Sequence, residues 1–259
     1  MSLLELEGVD KIFGGLHAVR GVSFRVEKGA IFGLIGPNGA GKTTLFNVIT
    51  GVYTPEHGRI SFGGKNIAGL KPALIAARGI ARTFQNIRIF RAMTVAENVM
   101  VAGHHLHSAS ILDSMLRTRR YEADEQALKK RANELLEILG LAELSDEIAG
   151  SLPYGSQRRL EIARGLMLSP ELLLLDEPAA GMNSQEAQTL NEQIRFLRDQ
   201  LGLTVVLVEH NMAVVMNVCE TIHVVDHGET IAEGTPAEIK VHPKVLAAYL
   251  GEEPEKEAV

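Results

Sequence analysis

Four short apolar runs stand out along the chain: Ile31–Ile35, Ile80–Phe84, Leu172–Leu175 and Thr204–Val208, each closed off by turn-forming or polar residues. Unbroken apolar runs of this length predict strands covered on both faces. Helix-period stretches lie between them. Leu190, Ile194, Leu197 and Leu201 fall on one face, with Ser184 as the expected N-cap. Leu128, Ala132, Leu135 and Leu139 fall on another, closed by Gly140. Strands alternating with helices predict an α/β fold on a mainly parallel core sheet. The beginning of the chain has a different period. Leu4-Glu5-Leu6, Ser23-Phe24-Arg25-Val26 and Arg59-Ile60-Ser61-Phe62 alternate in steps of two, which predicts an antiparallel β subdomain beside the core. Residues from about 87 to 160 are rich in Glu, Arg and Lys and read as a helical subdomain. Within it, His104–Arg120 has weak periodicity and reads as a loop, and Glu252–Val259 reads as a frayed acidic tail. The expected organisation is a single domain over 1–259. About 1–86 and 161–259 form the core with its β subdomain, and about 87–160 the helical subdomain.

Composition narrows the function. The formal net charge is -6, which argues against broad electrostatic binding to nucleic acid. A single cysteine, Cys219, excludes an internal disulfide and reads as a small core residue. No apolar stretch approaches the roughly 20 residues a bilayer-spanning helix needs. The start, Met-Ser-Leu-Leu-Glu-Leu-Glu, does not read as a secretory signal. A membrane role is therefore expected to come through a partner.

The strongest chemical signal follows the first apolar run. Gly36-Pro37-Asn38-Gly39-Ala40-Gly41-Lys42-Thr43 matches the phosphate-loop pattern at every specified position, and Thr44 follows it into a helix starting near Lys42. Gly39 and Gly41 let the backbone curl so that successive N–H groups face phosphate oxygens. The helix N-terminus adds positive potential. Lys42 is placed to reach the β- and γ-phosphates, and the Thr43 hydroxyl to ligate Mg²⁺. A plain Gly-rich turn is the alternative, disfavoured by the strand before and the helix after.

Asp176 and Glu177 end the run Leu172–Leu175, at the edge of a parallel sheet where ligands bind. Beside a phosphate loop, Asp176 is the expected Mg²⁺ holder through water, and Glu177 the group that polarises the attacking water and takes its proton. Otherwise the two acids merely cap a strand. Glu209-His210 ends the run Thr204–Val208; a lone histidine after a strand is usually structural, although an imidazole there has the chemistry to sense a γ-phosphate. The cluster His104-His105-Leu106-His107 reads as a solvated loop rather than a metal site.

Leu152-Pro153-Tyr154-Gly155-Ser156-Gln157-Arg158-Arg159-Leu160-Glu161-Ile162-Ala163-Arg164 resembles the signature motif of ABC ATPases, and the resemblance extends over essentially the whole chain. It implies the phosphate-loop NTPase fold of ABC ATPases, with ATP as substrate and Mg²⁺ as cofactor. It also implies two cassettes paired head to tail, with Gly155 and Ser156 of one facing the nucleotide of the other. Pro153 stands where a serine is usual, which removes a hydroxyl and an N–H and leaves more of the contact to Gly155. The resemblance further implies that Phe13 stacks on adenine (core packing being the other reading), that Gln85 touches Mg²⁺ or the attacking water, that Ala180–Asn183 is the D-loop, and that His210 is the switch histidine.

Phe13–Val19, Arg82–Gln85, Glu177–Gly181, Val208–Met212 and Ala248–Glu252 most resemble importer ATPases for branched-chain amino acids, of the LivG type. That likeness implies an ATPase partner, as a homodimer or a LivF-type heterodimer, and membrane permease subunits. It also implies an indirect link to a periplasmic binding protein, and a peripheral place on the cytoplasmic face of the inner membrane. Arg88, Ile89, Phe90, Arg91 and Met93 fall where a permease helix would dock, although Phe90 and Met93 have core packing as their other reading. Other cargoes, such as urea or lipopolysaccharide, share the same nucleotide site. A non-transport ABC protein lacks support in a chain with one cassette, and a phosphate-loop kinase would not carry the Gly155 motif.

Overall fold

The computed structural model describes residues 2–104, 113, 116 and 118–250. His105, His107 and the tail from Glu252 lie outside the described residues.

Two sheets form the frame. The first contains β1 (Ser2–Phe13), β2 (Leu16–Glu27), β4 (His57–Phe62) and β5 (Lys65–Asn66), all antiparallel, in the order β2-β1-β4-β5. Leu4 pairs with Val26 on one side and Phe62 on the other, and Leu6 with Phe24 and Ile60. The inward members of the two-residue alternation thus meet in one buried layer.

The second sheet has the order β10-β9-β3-β8-β7-β6. Its strands are β3 (Ile31–Ile35), β6 (Ile80–Arg82), β7 (Leu172–Asp176), β8 (Thr204–Val208), β9 (Thr221–Asp226) and β10 (Glu229–Gly234). All are parallel except β10, which returns antiparallel to β9. β3, β7 and β8 are buried along their full length, and each divides its side chains between two cores. Ile31, Ile35, Leu173, Leu175, Val205 and Leu207 pack toward the helical side. Phe32, Leu34, Leu172, Leu174, Val206 and Val208 pack toward the antiparallel sheet and α1 (Lys42–Ile49). Each such side chain contributes about 1.5–3 kcal/mol on leaving water.

Further α-helices among the described residues are α2 (Pro72–Ala76), α3 (Val95–Ala102), α4 (Arg119–Ile138), α5 (Tyr154–Leu166), α6 (Ser184–Leu201), α7 (Met212–Val218), α8 (Pro236–Lys240) and α9 (Pro243–Leu250). Val99 of α3, Leu128, Ala132 and Leu135 of α4 and Leu160 of α5 share one core. No helix among the described residues is long and apolar enough to cross a membrane. Cys219 is buried among apolar side chains, which pushes its thiol up to about 12.

Several local expectations need correction. Asn183, not Ser184, caps α6: its amide oxygen accepts from the N–H groups of Gln185 and Glu186, and Glu186 accepts from the Asn183 N–H at 2.9 Å. A capping box needs its acid three residues after the cap, and Glu186 fixes that position at 183. Leu201, at the helix end, is exposed. The run Ile80–Phe84 is strand only to Arg82: the Thr83 N–H still donates to the Leu174 carbonyl of β7, but the Phe84 N–H leaves the sheet for Glu161. α4 already starts at Arg119, inside the stretch read as a loop, with Thr118 accepting from the Tyr121 N–H.

Candidate functional site

The loop between β3 and α1 is wedged between two neighbouring segments. A Cβ at Gly36 would come within 2.0 Å of the Val225 carbonyl oxygen, and one at Gly41, where φ is 100°, within 2.5 Å of that of Ala18. Only glycine fits either place. Lys42 begins α1, is buried, and its Nζ donates to the carbonyls of Gly36 at 2.7 Å and Pro37 at 2.9 Å. Burial lowers the pKa of its ammonium, while the carboxylates of Glu177 and Asp176 pull it back up.

A cavity of about 450 Å³ opens over this loop, lined by Phe13, Asn38–Thr44, Gln85 and Glu177 together with Leu16, His17, Ala18, Arg20 and His227. Phe13 is 39% exposed and meets Tyr53 edge-on at 5.0 Å, so it is not a core residue. Lys11 Nζ lies 5.0 Å from its ring centre.

Glu177 follows the last residue of β7 with φ at 48°, a left-handed backbone that costs a non-glycine residue about 1–2 kcal/mol. Its N–H donates to the Val208 carbonyl and its own carbonyl accepts from Ala180, which hold the turn. The carboxylate is met from two sides. Gln85 Nε2 donates to Oε2 at 3.0 Å, and His210 Nδ1 lies 3.8 Å from Oε1.

Asp176 is 1% exposed and paired with Arg82 at 2.9 Å, and Arg82 also donates to Asn47 and Thr50. Burial raises the Asp176 pKa, partly offset by the Arg82 guanidinium. Its other oxygen, Oδ1, is buried with no hydrogen-bond partner. Arg82→Met would leave a buried carboxylate uncompensated. Its expected cost is about 3–5 kcal/mol of folding stability, read by urea denaturation. A loss below about 1 kcal/mol would mean that another group serves Asp176.

Gly155 and Ser156 do not line this cavity. They sit in the first turn of α5, whose Pro153 cap offers no side-chain bond. A Cβ at Gly155 would lie 3.2 Å from Glu186 Oε1, and Ser156 is buried, accepting from Arg159 at 3.0 Å. Phe90 is exposed, with the Arg164 guanidinium 4.9 Å from its ring centre, while Ile89 packs on the core.

Three residues organise these groups without having been read as site residues: Arg82, Arg158 and Glu209. Glu209 is fully buried and accepts from the N–H groups of Ala179, His210 and Asn211. It thereby ties the segment after Glu177 to the one carrying His210. A charged residue directly after a buried apolar run was the available hint.

Residues 19–180 match the sequence pattern of the family described as "ABC transporter". The chain belongs to that family. It is an ATP-binding cassette subunit, an ATPase on the phosphate-loop α/β fold. Residues 229–255 match a second pattern, described as "Branched-chain amino acid ATP-binding cassette transporter". The chain is 45% identical to the high-affinity branched-chain amino acid transport ATP-binding protein BraF of Pseudomonas aeruginosa, over 96% of this chain and 98% of that protein. It is 44% identical to LivG of Escherichia coli over the same shares. Among solved structures, the ADP conformation of an ATP-binding cassette of an ABC transporter superposes with a TM-score of 0.85 at 36% identity, covering 97% of this chain and all of that one. A nucleotide-free cassette gives 0.83 at 36% identity, covering 96% and 99%.

Proposed function

We propose that this ABC ATPase drives import of branched-chain amino acids from the cytoplasmic face of the inner membrane, through permease subunits and beside a second ATPase subunit, itself or a LivF-type partner. The observation that carries the chemistry is the grouping of Lys42, Gln85 and Glu177 around one cavity, with His210 against Glu177. The cargo rests on likeness to branched-chain relatives along 96% of the chain, together with the pattern at 229–255. A periplasmic binding protein would deliver that cargo to the permease.

In this reading Asn38–Thr44 present N–H groups, the Thr43 hydroxyl and the Lys42 ammonium to the phosphates, and Phe13 stacks on the base. The unpartnered, buried Asp176 Oδ1 is an acceptor of the kind a hard cation takes. Asp176, Thr43 and Gln85 would hold Mg²⁺, which supplies positive charge to the β- and γ-phosphate oxygens. Gln85 and His210 orient the groups at the γ-phosphate. Glu177 accepts a proton from water as its oxygen bonds to the γ-phosphorus, and the β–γ bridging oxygen leaves on ADP with the bonding pair. Gly155 and the start of α5 would face the nucleotide of the partner cassette. Residues 1–86 with 161–259 would carry the phosphate loop, and 87–160 would carry Gly155 and the permease-facing residues around Phe90.

Uptake of radiolabelled leucine, isoleucine and valine by cells lacking the chain tests the cargo. The intact chain is expected to restore uptake, and a chain with Lys42→Ala is not. Restored uptake of urea alone, with leucine unchanged, would replace this cargo by another.

A further inference from the structure

The signature helix α5 grips the segment that carries Gln85. Arg158 is 2% exposed, and its guanidinium donates to the carbonyls of both Phe84 and Gln85. It also reaches Glu161 at 3.2 Å and the Tyr154 hydroxyl at 3.2 Å. Glu161, 5% exposed and one turn along, accepts from the N–H groups of Phe84 and Arg88, both at 3.2 Å. One turn of helix therefore holds residues 84–88 by donors and acceptors at once. The far side of the same cluster is also engaged: a Cβ on Gly181 would lie 3.3 Å from Tyr154 Cε1, so the turn after Glu177 packs on the ring that Arg158 bonds. Gln85 itself ends on Glu177 at 3.0 Å.

We propose that Arg158 is a positioning residue that makes Gln85 and the first turn of α5 move as one body, so that placing Gly155 against a partner's nucleotide also sets Gln85 against Glu177 in its own site. This rests on the role given to Gln85 above. The planar fork suits the task, because it serves two successive carbonyls and a carboxylate together, which a lysine's single head does not. Nothing in helix propensity or apolar packing requires an arginine on a buried face, and a buried charge is retained at a cost in desolvation.

The test is a double-mutant cycle on steady-state ATP hydrolysis by the full-length chain, purified with whatever subunits it carries. Arg158→Lys keeps the charge opposite Glu161 and is expected to lower kcat about tenfold, with KM for ATP changed by less than about twofold. In a Gln85→Ala background, Arg158→Lys is expected to change kcat by less than about twofold, because the group it positions is already gone. A structural staple acting elsewhere would multiply the two losses, and that result overturns the link while leaving Gln85 its role. A Gln85→Ala chain with unchanged turnover removes the role of Gln85 and the inference with it. Should Arg158→Lys fail to fold, the isosteric Glu161→Gln stands in for it and must show the same non-additive pattern. Affinity for a fluorescent ADP reports that each variant is folded.

Discussion

Lys42→Ala is expected to lower hydrolysis, nucleotide affinity or both by about 100-fold or more. The ammonium is buried, begins α1, and is held by the Gly36 and Pro37 carbonyls at the floor of the cavity. Burial alone makes its charge costly, and the Asp176 and Glu177 carboxylates support it. A triphosphate brings more negative charge than either of them and would take over that support. Removing a buried partner from a charged contact costs about 2–5 kcal/mol, and each 1.4 kcal/mol is tenfold. Titration with fluorescent ADP and an assay of phosphate release with water as the only acceptor measure the two quantities. Turnover within about threefold of the unaltered chain would remove Lys42 from the chemistry.

Glu177→Gln is expected to separate binding from turnover. The amide is nearly the same size and still offers an oxygen to Gln85, so the cavity keeps its shape, but it no longer accepts a proton at neutral pH. Loss of a positioned base lowers turnover by about 10²–10⁴-fold, while ADP affinity is expected to stay within about threefold. Unspent ATP would then hold the paired cassettes together. Size-exclusion chromatography with ATP, Mg²⁺ and the partner subunit is expected to show the paired form persisting. A profile that stays monomeric while hydrolysis stops would leave Glu177 as the base but take away the clamp.

Much of this arrangement was legible in the sequence where the physics is local. β3, β7 and β8 are unbroken apolar runs because the sheet is covered on both faces, and the phosphate loop declares itself by spacing. The hairpin of β9 and β10 was not legible. His223 interrupts its apolar pattern, and only the fold shows that this fully buried ring is satisfied by Glu233 at 2.6 Å and Thr230 at 3.0 Å. Arg82 and Arg158 were missed as organisers for the same reason. Their partners Asp176 and Phe84 lie far off in sequence, and a pattern that sorts charged residues to the surface does not anticipate a guanidinium in the core. The backbone at Glu177 was equally invisible, since its geometry is set by Val208 and by the turn to Ala180 rather than by its own preference.

That left-handed turn sets stability and activity against each other at one residue. Glycine or asparagine at 177 would relax the main chain and firm up the fold, yet neither carries a carboxylate to the cavity. Any search for hardier variants that scores folding alone will be drawn to this position and will return proteins that melt later and do no work.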